Sequence, residues 1–120
     1  MRIGVPREIK EGERRVALLP PEVAALVTEG HAVFVEHGAG SGVNVRDDEY
    51  RAAGASSCNG ADAWDSELVV KVKEMLEGDL GRAKAGQAIF GFQQLPRFLL
   101  QLLSRSRRLR AFLDGTAIAS

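Results

Sequence analysis

The 120-residue sequence holds a single cysteine, Cys58, so no intrachain disulfide can form and no thiolate cluster is on offer for zinc. Cys58 reads as a small packing residue, because a reactive thiol needs an activating neighbour. There are two histidines, His31 and His37, and neither has a cysteine or second histidine at ligand spacing; both read as structural or solvated, and no metal is expected. No run approaches the ~20 apolar residues of a membrane span. Met1-Arg2-Ile3-Gly4-Val5 leads into charge, not into the apolar stretch of a signal peptide, so a cytoplasmic address is expected and no membrane partner. Internal repeats and Ser/Pro-rich linkers are lacking too. At this length the chain is about one domain, with no room for a second of similar size.

The composition is that of an ordinary globular chain, 45% hydrophobic and 27% charged, and it can bury a real core. Net charge is zero but unevenly spread. Residues 1–79 hold 9 Lys and Arg against 15 Asp and Glu, and residues 80–120 hold 7 against 1. Such asymmetry marks either a basic segment for nucleic acid or acidic lipid, or two halves that neutralise one another on folding. Five arginines lie between Arg97 and Arg110 with no acid among them. The leucines of the same stretch, Leu99, Leu102 or Leu103, Leu109 and Leu113, form the stripe that a helix needs to cover a sheet. That plainer role is preferred, and nucleic acid is not expected as a partner.

Residues 2–6 predict a short strand that Pro6 ends. A charged loop follows over 7–15. Pro20-Pro21 suit a helix's first turn, and Val23, Leu26 and Val27 recur at helical spacing until Gly30 stops the helix. Residues 31–36 alternate and are β-branched, which predicts a second strand and so a βαβ unit. A short helix is expected over 47–54, with acids in its first turn, and a helical turn over 61–65. Residues 67–73 and 87–92 read as strands whose near-continuous apolar runs suit a parallel sheet covered on both faces. A long helix over about 96–113 and a strand beginning within 116–119 complete the prediction. The fold class is α/β, a doubly wound, Rossmann-like parallel sheet.

Ligands of open parallel sheets bind beyond the carboxyl ends of the strands. Arg15, after the first strand, Lys73, at the exit of the 67–73 strand, and Gln94, past the 87–92 strand, are expected at that edge. A guanidinium takes a carboxylate through two parallel bonds and an ammonium adds a compact charge, which would suit an amino acid or a 2-oxo acid. The plainer alternative is that Arg14 and Arg15 pair with Glu11 or Glu13 while Lys71 and Lys73 snorkel from the strand end. The glycine-rich loop over 38–42 invites a nucleotide reading, but the dinucleotide fingerprint needs a third glycine at the position of Val43 and a helix opening at once. It is expected to be a turn.

Taken as a set, Met1-Arg2-Ile3-Gly4-Val5-Pro6-Arg7-Glu8, Arg15-Val16-Ala17-Leu18-Leu19-Pro20, Gly38-Ala39-Gly40 and Val69-Val70-Lys71-Val72-Lys73-Glu74 resemble the N-terminal domain of alanine dehydrogenases. The same domain type occurs in the α subunit of proton-pumping nicotinamide nucleotide transhydrogenases. The resemblance covers Met1 to about Phe92. Alanine dehydrogenases reversibly convert L-alanine and NAD to pyruvate, ammonia and NADH, and the resemblance implies that Arg15 and Lys73 are the substrate-holding pair. The transhydrogenase relatives usually carry asparagine where Lys73 stands, which favours the alanine dehydrogenase branch.

The departures from the family are informative. Gln94 stands where the family places a catalytic histidine, and glutamine cannot exchange a proton near neutral pH. Loss of a general acid or base typically costs 10² to 10⁴ in rate. Beyond Pro96 only Gly115-Thr116-Ala117-Ile118-Ala119 is similar to the family's next strand. The family's nucleotide-binding domain would follow residue 120, so no cofactor is expected in this chain although NAD is implied for the full-length family. The leading expectation is thus the amino-terminal part of a substrate domain, inactive alone, with a missing nucleotide-binding domain or a partner chain to complete it. The rivals are a non-catalytic module binding a small carboxylate such as alanine or pyruvate, a partner-binding remnant, and a transhydrogenase-type domain.

Overall fold

In the computed structural model, residues 1–9, 12–72, 87–91 and 118–119 are described. Strand β1, Arg2–Val5, is followed by helix α1, Pro20–Thr28, and strand β2, Ala32–Glu36. Then come a 3-10 turn, Ser41–Val43, helix α2, Asp47–Ala52, strand β3, Ser56–Cys58, and helix α3, Gly60–Trp64. Strands β4, Leu68–Lys71, β5, Gln87–Gly91, and β6, Ile118–Ala119, complete the sheet, whose order is β3-β2-β1-β4-β5-β6. All pairings are parallel except that of β5 with β6, which is antiparallel. The predicted strand at 116–119 is therefore present but closes the edge in the opposite sense. The strand β3 was not anticipated. The long helix expected over 96–113 lies outside the described residues.

Strand alternation sorts the side chains onto two faces. Ile3 pairs with Val33 and Leu68, and Val5 with Val35, and these join Val70, Leu18, Val23, Leu26 and Tyr50 in one buried cluster under α1 and α2. Gly4, Phe34 and Val69 are opposite one another on the other face, where α3 brings the buried Ala63 and Trp64. Helices on both faces make the sheet doubly wound, as the near-continuous apolar runs predicted.

Local chemistry sets the helix ends. Pro20 and Pro21 open α1, where their missing N–H groups cost nothing, and the Glu22 side chain accepts the Leu19 N–H at 3.1 Å. Glu49 accepts the Arg46 N–H at 2.8 Å ahead of α2, and Asn59 caps α3 by accepting the Asp62 N–H at 2.8 Å. At the amino edge of the sheet, the Arg2 guanidinium stacks 3.6 Å above the Phe34 ring and donates to the Asp62 carbonyl at 3.1 Å, which ties β1 and β2 to α3.

Helix α3 lies so close to β1 that no side chain fits at Gly4. A Cβ there would run into the Ala63 carbonyl and come within 2.8 Å of the Ser66 hydroxyl. Gly4→Ala is expected to destabilise the fold by about 1–3 kcal/mol through overpacking, seen as a lower denaturant midpoint with an unchanged slope.

Candidate functional site

The carboxyl ends of β1 and β2 open onto a small pocket of about 130 Å³ lined by Arg7, Glu8, Glu13, Arg14, Arg15, Gly38, Ala39, Ser41 and Gly42. Sites for drug-sized ligands run to roughly 300–1,000 Å³, so this pocket suits a molecule of a few heavy atoms. Its lining holds three arginines and two glutamates, so cationic groups outnumber acids there.

The segment carrying Arg14 and Arg15 is held from several sides. Val16, Ala17 and Leu18, directly after it, are buried in the core. The buried Tyr50 hydroxyl of α2 donates to the Leu18 carbonyl at 2.7 Å. Burial, followed by the charge of Glu22, raises the Tyr50 pKa well above its usual value, so it remains a neutral donor. Gly42 packs directly on the Arg14 backbone, within 2.8 Å of its Cα for any added Cβ, so only glycine lets the two loops meet.

Arg15 is engaged by Glu13. The Arg15 backbone N–H donates to Glu13 Oε2 at 2.9 Å, its Nε–H to the same oxygen at 3.1 Å and its Nη2 to Oε1 at 2.8 Å. The Glu13 side chain is 5% exposed and that of Arg15 48%. The hydrogen bonding of the guanidinium to the Glu13 carboxylate is the main cause that raises the Arg15 pKa further, so its charge is permanent. The pairing of Arg15 with Glu13 is the plainer alternative from the sequence, yet about half of the Arg15 side chain stays exposed and the residue lines the pocket. Lys73 and Gln94, the other two residues expected at this edge, lie outside the described residues.

Lys71 departs from the sequence reading. It does not snorkel: its side chain is 1% exposed and its Nζ lies 3.4 Å from Oε1 of Glu8, itself 3% exposed. Glu8 Oε2 accepts the Val72 N–H at 3.0 Å, so one carboxylate joins the exits of β1 and β4. The available signal was the placement of Lys71 within the apolar run Leu68-Val69-Val70-Lys71-Val72. A lysine buried on both sides of a strand requires a partner, and Glu8 is the acid just beyond the neighbouring strand.

The remaining polar clusters are structural. His37 Nδ1 is 2.8 Å from the Ser57 hydroxyl and 3.3 Å from Asp47 Oδ2, and Asp47 Oδ1 accepts the Gly38 N–H at 3.0 Å. Serine and aspartate meet the same ring nitrogen, whereas a nucleophilic triad needs them on opposite ones. Among the described residues, no group of three or more His, Cys, Asp or Glu is placed to hold a metal ion, and no helix is long and apolar enough to cross a membrane. The loop over 38–42 does not fit a dinucleotide either. Where a cofactor's phosphates would need close access to a glycine backbone, the Arg14 backbone already lies against Gly42.

The fold is an open α/β sheet of the doubly wound class with an arginine-lined pocket at its carboxyl edge. Comparison with known proteins is more specific. The sequence matches the family described as alanine dehydrogenase/PNT, N-terminal domain, over residues 4–118. It is 41% identical over 120 residues to alanine dehydrogenase 2 of Staphylococcus aureus strain USA300, covering 99% of this chain and 30% of that protein. Its fold is similar to a solved L-alanine dehydrogenase, with a TM-score of 0.72 and 37% identity, covering 86% of this chain and 29% of that one. A transhydrogenase from Sinorhizobium meliloti gives a TM-score of 0.71 and 30% identity, covering 74% of this chain and 27% of that one. The chain belongs to the alanine dehydrogenase/PNT N-terminal domain family. It spans about a third of the length of the relatives it matches.

Two expectations follow from this geometry. Glu8→Gln, which removes the carboxylate charge beside the buried Lys71 ammonium, should cost about 3–5 kcal/mol in chemical denaturation, and the double variant Glu8→Gln/Lys71→Met should recover much of that loss. Burial first, with the charges of Asp62 and Glu36, pushes the Cys58 thiol up to about 11 from its ordinary 9.0. Its native pKa is raised, so its stabilisation is fully present below pH 9 and is lost as pH rises through 11. Cys58→Ala should therefore lose less stability than the parent across that interval, as followed by urea denaturation at stepped pH.

Proposed function

We propose that this domain holds the small carboxylate substrate of an alanine dehydrogenase-like oxidoreductase, one that interconverts L-alanine and pyruvate. Arg15 takes the carboxylate through its exposed N–H groups, and Lys73, two residues beyond the buried Lys71, supplies the second positive charge. The observation that carries this reading is the Arg15 side chain, braced by a buried acid yet half exposed, lining a pocket sized for a few heavy atoms. Membership of the family supports it.

The chemistry of these residues is binding and orientation. The permanently charged fork fixes the carboxylate end, and the β1–α1 loop that carries it is pinned by Tyr50 and Gly42. The nicotinamide cofactor that the family implies finds no cradle among the described residues, so they are assigned no redox step. Gln94, where the family places histidine, cannot take or give the proton that amino-acid oxidation moves, so this domain contributes little acid–base catalysis. A transhydrogenase-type domain is the second reading. Both solved relatives share the fold at nearly equal TM-score, while the higher sequence identity lies with the alanine dehydrogenases.

Titration of the protein with pyruvate and with L-alanine tests the reading. Replacing a charge-assisted hydrogen-bonding group ordinarily costs about 1.5–3 kcal/mol, so Arg15→Ala should weaken pyruvate binding roughly tenfold or more. Binding equal to that of the parent would remove Arg15 from the site.

A further inference from the structure

We propose that Glu13 is the positioning residue of this site, a built-in carboxylate that aims the Arg15 fork at its ligand. The proposal rests on the reading of Arg15 given above. It concerns a residue whose only evident role by sequence is that of an acid near two arginines.

The burial of the pair is lopsided in the direction that positioning requires. Glu13 is 5% exposed and Arg15 48%, so the acid is the covered member of the pair and the arginine the accessible one. A competitor for the ligand's place would show the reverse. The contact is also specific in its atoms. Glu13 engages the side edge of the guanidinium, Nε and Nη2, and the Arg15 backbone N–H as well. Two of the five side-chain donors are used, and the end of the fork, Nη1 with the second hydrogen of Nη2, is the edge that presents two parallel bonds to an incoming carboxylate.

Three bonds between residues two apart close a tight ring of chain and side chain. A free arginine in a surface loop samples many rotamers and must be ordered on binding, whereas this one is ordered beforehand. The backbone beneath is held as well: Gly42 rests on Arg14, and Leu18 accepts from Tyr50. The ring therefore transmits a fixed loop to a fixed fork. Because Arg15 pairs with Glu13 directly, the acid's repulsion of a ligand anion is secondary to the geometry it imposes.

Pyruvate titration of the full chain, followed by NMR shifts, compares the parent with R15A, E13A and E13Q, and E13Q alone with E13Q in an R15K background. Glu13→Ala and Glu13→Gln are each expected to weaken binding roughly 3- to 10-fold, the cost of ordering one rotamer-rich side chain on binding. Lysine has no fork to aim, so in the R15K background Glu13→Gln should change affinity by less than about twofold. Unchanged or tighter binding in E13Q, with R15A weakened, would overturn the proposal and leave the carboxylate reading standing. An equal loss in both backgrounds would also overturn it, by showing that Glu13 acts on the loop and not through Arg15. Parent-level binding in R15A would overturn the carboxylate reading and this proposal with it. Should Glu13→Ala fail to fold, the near-isosteric Glu13→Gln supplies the readout.

Discussion

The carboxylate of Glu8 is the constraint on which the working edge of this domain depends. Parallel strands are joined to one another only through distant crossovers, so nothing local fixes how their exits sit side by side. Glu8 does so by meeting Lys71 Nζ with one oxygen and the Val72 N–H with the other, from the end of the central strand β1. At 3.4 Å the attraction is about 5 kcal/mol at an effective dielectric of 20, and the desolvation of two ions is of the same order. Its net stabilisation is therefore small. What it contributes is registry: one carboxylate holds the exits of two strands at a fixed distance.

The same economy runs through the loop that follows. Each polar group that shapes the pocket is held by a group with no other evident task there: Arg15 by Glu13, the Leu18 carbonyl by Tyr50, and the Arg14 backbone by the absence of a side chain at Gly42. The pocket is thus assembled from long-range contacts made by short-range chemistry. Its shape belongs to the fold more than to any one loop.

This explains what could be read in advance. Strands β1, β2, β4 and β5 and helices α1, α2 and α3 were legible because alternation, helical spacing, proline starts and glycine stops are local properties. Strand β3 was missed because Ser56, Ser57 and Cys58 carry no β-branched or aromatic signal; their pairing is imposed by Phe34, Val35 and Glu36 of β2. The reversed direction of β6 was equally invisible, since a strand's sense is set by where its connection crosses and not by its residues. Arg15 was singled out by its residue type and by the family resemblance, while the atoms that hold it did not show in the sequence. Lys71 was misjudged because a lysine near a strand end ordinarily reaches water, and only the burial of all four β4 residues reverses that expectation.

The terse strand β3 has a consequence for pairing along its own border of the sheet. It forms one border of the sheet with three residues, two of them serines, the first of which is exposed. A border this brief offers few free backbone groups in line, and hydroxyls beside them compete for the same hydrogen bonds. An unfamiliar strand would gain little by adding itself there. The domain is consequently guarded along that side against runaway sheet growth.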